Sequence, residues 1–145
     1  MLFFCAALSP KLQAQTMPPS FPESWLGKWK GTLDWFQGTT KRQSIDMELH
    51  ILPGDSADQY NWRMIYGKDQ LDNRPYILKP FDKSRGHWLI DERNSIVLDQ
   101  FLIGDRFCGV FTVSGNTIMN TYTLSGDSLV VEFYNSQEKA IAITG

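Results

Sequence analysis

Ser44-Ile-Asp-Met-Glu-Leu-His-Ile51 decides the fold class. Ile45, Met47, Leu49 and Ile51 alternate with Ser44, Asp46, Glu48 and His50, and a period of two puts all four apolar side chains on one face of a strand. Pro53-Gly54-Asp55 stops the run with turn chemistry. Upstream, Trp29, Leu33 and Trp35 share one face of an expected strand over 28–36; downstream, Tyr60, Trp62, Met64 and Tyr66 alternate with Asn61, Arg63 and Ile65 before Gly67. Further strands are expected near 74–78, 87–91, 96–103, 106–113, 117–124, 128–134 and 139–144, which makes ten. The clusters between them are turn-forming: Asp82 to Gly86, Glu92 to Ser95, Gly104-Asp105, Ser114 to Asn116, Ser125 to Asp127 and Asn135 to Gln137.

After residue 20 no stretch keeps a helical period for ten residues, and the short polar links suit hairpins rather than the long crossovers of a parallel sheet. The expectation is an all-β protein whose meander either closes or folds over as a sandwich; evenly spaced hairpins, and the exposed edges that closure removes, favour an up-and-down antiparallel β-barrel of eight to ten strands. One domain fits the 145 residues. Residues 1–14 read as a signal peptide, 15–24 as a disordered or extended lead-in, and 25–145 as the barrel. The leader is read from the apolar run Met1 to Leu8, too short for a membrane span, and the small Ala14 that follows Leu12-Gln13. A periplasmic or secreted protein is therefore expected. Bulky Phe4 before Cys5 speaks against a lipid anchor there, and cleavage near Ala14 would leave Cys108 without a disulfide partner.

Fourteen basic and sixteen acidic residues without long runs of either sign argue against a nucleic-acid partner. Five Trp, nine Phe and five Tyr favour strands and apolar pockets. A barrel of this size is wide enough for a cavity, so the expected partner is a small apolar or amphipathic ligand bound to a monomer. The aromatic face that would line the cavity carries Trp62, Tyr66, Tyr76 and Trp88, continued by Phe111 and Tyr122. Three polar residues stand on otherwise apolar faces: Arg74, Gln100 and Asn120. Gln100 and Asn120 suit a ligand's polar group or, equally well, bonds to one another, to a buried water or to the rim. If Arg74 faces inward, its guanidinium calls for an anionic ligand head; the alternative is a place in solvent or a bond to Asp72.

The run Gly27-Lys28-Trp29, with Gly31 behind it, resembles the G-x-W opening of lipocalins and related calycin barrels. The resemblance implies that Trp29 closes one end of the barrel with Gly27 turning beneath it. The Arg that lipocalins supply from the last strand is absent, as are the helical lid and the Arg-x-Tyr clamp of fatty-acid-binding proteins. The chain thus looks like an outlying bacterial lipocalin-like protein. Haem-binding barrels of similar opening carry a late His, and here none follows His87. No cofactor or metal is expected: His50 belongs to the polar face beside Glu48, and His87 opens a strand next to a turn. No nucleophile elbow, phosphate loop or HExxH is present, so no catalytic residues are expected and a calycin-type enzyme is the less favoured reading. The main alternative is an interaction or inhibitor module with a filled barrel, presenting Leu71 and Phe81 on its loops.

Overall fold

A computed structural model describes residues 20–139. Nine strands form one sheet in sequence order, every neighbour antiparallel: β1 (Gly27–Gln37), β2 (Thr40–Pro53), β3 (Tyr60–Tyr66), β4 (Asp72–Asp82), β5 (His87–Asp91), β6 (Val97–Ile103), β7 (Arg106–Val113), β8 (Asn116–Ser125) and β9 (Ser128–Gln137). The sheet curls into a nearly closed up-and-down barrel. The expected leader at 1–14 and, beyond Lys139, the expected strand at 139–144 lie outside the described residues. Among the described residues no helix is long and apolar enough to cross a membrane.

The alternation of β2 survives intact: Met47, Leu49 and Ile51 are buried while Glu48 and His50 are only partly covered. Register carries that inward face around the barrel, since Ile51 opposes Trp62, Tyr60 opposes Leu78, Leu78 opposes Ile90, and Ile90 opposes Leu98. The rings of Trp62, Phe107 and Tyr122 meet in the interior at 5.1 to 6.2 Å between centroids.

Several boundaries differ from the sequence reading. β4 begins at Asp72 rather than 74 and runs to Asp82, because its full length finds partners in Tyr60–Tyr66 and His87–Asp91. Asn135-Ser136-Gln137 is not a turn but the end of β9, held opposite Ile118, Thr117 and Asn116. Past Met47 the β1–β2 hairpin has no third strand and continues as a two-stranded ribbon, which leaves Trp35 61% exposed despite its place in the alternation.

The lead-in from Ser20 onward is folded rather than extended. A 3₁₀ turn over Glu23–Trp25 lays Phe21 and Trp25 across the end of the barrel where β1 begins. Phe21 packs on Trp88 at 5.1 Å and on Phe107 at 4.7 Å, and Trp25 is buried. Tyr60 Oη donates to Glu23 Oε1, tying this plug to β3.

The strands of the described residues are odd in number, which has a geometric consequence. In an antiparallel meander β1 and β9 must run the same way, so their facing edges cannot continue the antiparallel ladder. Among the described residues no pairing joins them, and the wall keeps a seam.

Candidate functional site: a cleft in the wall and a polar patch behind it

The first half of β1 and the first half of β9 flank a cleft of about 230 Å³. Its apolar surface comes from Trp29, Leu33, Met47, Leu49, Leu129 and Val131, all on the inward faces of their strands; Lys30, Thr32, Asp127 and Ser128 contribute polar edges. Gly31 explains why there is room. Trp29 and Leu33 are the inward residues on either side of it, it opposes inward Met47, and a Cβ built there meets nothing within 4 Å.

Val131 links the cleft to β8 through strand pairing. Val131 opposes Tyr122, whose ring lies 5.1 Å from that of Trp62. Tyr122 is buried, which pushes its phenol well above the ordinary range; the Trp62 indole and the Asn120 amide near it act weakly the other way. Gln100 and Asn120 are the buried polar side chains among the described residues, at 0% and 3% exposure. Gly109 lies between them in the wall: it opposes Asn120, and the amide of Gln100 lies so close over its Cα that a Cβ there would collide with it. Four side-chain atoms have no hydrogen-bond partner within the described protein: Trp62 Nε1, Gln100 Nε2, Gln100 Oε1 and Asn120 Oδ1.

The expected site residues divide into groups. Trp62, Gln100, Asn120 and Tyr122 are brought together as a buried patch. Tyr66, Tyr76 and Phe111 are half-buried on the same inward face. Burial raises the Tyr66 phenol to about 12, and the same cause, with Glu92 adding to it, raises Tyr76. Trp88 stands directly opposite Gln100 across β5 and β6, and its indole is also packed by Phe21 and Tyr60 at the plugged end.

Arg74 overturns the argument for an anionic head. Its guanidinium makes three contacts of 2.6 to 3.2 Å with Asp72, lies over the Tyr66 ring at 4.9 Å, and leaves its side chain 46% exposed. Each partner holds the other charged, with the Asp72 carboxyl below its usual range and the guanidinium above its own. This is the alternative that the sequence left open, and it prevails because β4 starts at Asp72, which sets that carboxylate on the same face as Arg74.

At the closed end, Trp25 and Phe21 cover the core, and Trp29 supports them by donating from Nε1 to the Trp25 carbonyl at 3.0 Å. Gly27 stands at the start of β1 against the Trp29 indole. His50 is less exposed than its polar face suggests, with 12% of its side chain accessible and Nε2 2.7 Å from Glu48, which also holds Lys30. His87 pairs with Asp99 and stacks on Phe101. Among the described residues no group of three or more His, Cys, Asp or Glu is placed to hold a metal ion.

The sequence reading missed Phe21, Trp25 and the cleft itself. Phe21 and Trp25 lie outside any alternation, so a period-based reading has no means of finding them. The cleft had one visible sign, a glycine at an inward position of the first strand. Comparison of the chain with protein-family models, with curated proteins and with solved structures finds no match.

Proposed function

We propose that this protein is a binding protein of the calycin kind, which takes a small, largely apolar molecule through the seam between β1 and β9. The observation that carries the reading is the cleft of about 230 Å³, where inward residues of β1, β2 and β9 are reachable through the wall. A gap of that size beside Leu33, Leu49 and Val131 would be a packing defect in a protein selected only for stability, because interiors are otherwise close-packed. A ligand would replace the missing contacts. The interaction-module reading gains less: Leu71 and Phe81 are 85% and 68% exposed, but they sit at opposite ends of the eleven-residue β4 and do not make one patch.

We further propose export, with a mature chain beginning after Ala14 and acting as a monomer without catalytic residues. Native mass spectrometry of protein taken from its own host tests both proposals. The expected result is a mass lacking the leader together with a co-purifying apolar molecule. An empty protein that also fails to bind a panel of apolar probes would overturn the binding reading.

A further inference from the structure

Building on the binding reading, we infer that the ligand carries an uncharged hydrogen-bonding group, such as an amide or hydroxyl, which docks on Gln100, Asn120 and Trp62. The four atoms without protein partners supply both kinds of valence. Trp62 Nε1 and Gln100 Nε2 donate, while Gln100 Oε1 and Asn120 Oδ1 accept. Buried polar groups are rarely left unmet, and Gln100 is fully enclosed with both ends of its amide unsatisfied by the described protein. Its placement is also built: the wall gives up a side chain at Gly109 so that the amide can lie there.

Charge selects among possible heads. No charged side chain among the described residues is buried, and Arg74, the expected cation, is neutralised by Asp72 at the rim. A carboxylate brought to the patch would lose its hydration, meet two carbonyl oxygens and find no counter-charge, which is far costlier than docking a neutral group. A primary amide can donate to both oxygens and a hydroxyl to one of them, and either can accept from the N–H groups. The apolar body of such a ligand would lie against Val131 and Leu49 in the cleft.

The test titrates the full purified chain, stripped of bound lipid, with octanamide, octanol and octanoate at mildly alkaline pH, following tryptophan fluorescence. Octanamide should bind at least about tenfold more tightly than octanoate. Gln100→Met should weaken octanamide about tenfold, the loss expected for a buried hydrogen-bonded head, while leaving the thermal midpoint unchanged or raised because an unsatisfied buried amide has been removed. Asn120→Leu serves as the second variant should Gln100→Met fold poorly, with the same expectation. Octanoate binding as tightly as octanamide, or octanamide affinity indifferent to both variants, overturns the inference and leaves the binding reading standing. Unchanged octanamide affinity with a lowered midpoint would show that the patch holds water only, and likewise overturns it. Failure of all three probes to bind would remove the binding reading itself, and this inference with it.

Discussion

Gly109 shows how one residue can be fixed by a neighbour's side chain. A Cβ at this position would strike the Gln100 amide and come within 2.6 Å of the Asp99 carbonyl, which is backbone and cannot swing aside. Gly109→Ala should therefore destabilise the fold by about 1–3 kcal/mol, the usual cost of overpacking, and urea unfolding would measure it. An unchanged midpoint would mean that the β6–β7 wall yields more easily than its geometry implies. The sequence announced part of this arrangement. Gln100 and Asn120 stand out because each interrupts an apolar alternation. What could not be seen was that they flank the same glycine, since cross-strand neighbours depend on register, and the turn lengths that set register were known only to within a residue or two. The same uncertainty left the choice between a ligand and Asp72 as the partner of Arg74 open.

At the level of elements, the strands were legible and the plug was not. β2 and β3 declare themselves because each alternates a buried face with a more open one, Ile65 on the outer face of β3 being the buried exception, and that asymmetry is written into the alternation. Phe21 and Trp25 act through the last few residues before β1, where no period exists and only contacts with Trp88 and Phe107 give them meaning. The Tyr60–Glu23 hydrogen bond fastens this plug, and donating that bond to the Glu23 carboxylate, together with burial, raises the Tyr60 phenol to about 12. The fold favours the protonated phenol, so the stabilisation is complete below the unfolded value of about 10 and is lost as pH rises towards 12. Tyr66, raised to the same value by burial, adds to the decline in that window. Tyr60→Phe should cost about 1–2 kcal/mol near neutrality, as expected for losing a buried hydrogen bond, and should flatten the alkaline decline. Urea midpoints followed from neutral pH into the alkaline range would check both effects. A variant that keeps the full wild-type decline would show that the plug is held by packing alone.

For the whole molecule, strand parity and a single glycine together produce the opening. The nine antiparallel strands of the described residues leave β1 and β9 running in the same direction, and Gly31 withholds a side chain at the inward position opposite Met47. Each feature alone would have a smaller effect: a large residue at 31 could fill the gap from the β1 side, while a paired seam would cover it from outside. The two predict opposite consequences for stability and binding. Gly31 does not have the left-handed backbone that would demand glycine, and a Cβ there has open space, so Gly31→Leu should fold as well as the wild type or better, by up to about 1 kcal/mol from reduced chain entropy and added apolar burial. The same leucine would occupy the cleft between Trp29 and Leu33 and should lower affinity for octanamide by about tenfold or more, as expected when a site loses the volume its ligand needs. Gly31→Ala, which fills much less of the cleft, should fall between. Thermal midpoints and fluorescence titrations on the two variants separate the outcomes. If leucine stabilises the protein and closes it to ligand, the seam is the binding route; if leucine stabilises it and affinity is untouched, any ligand reaches the interior by another path.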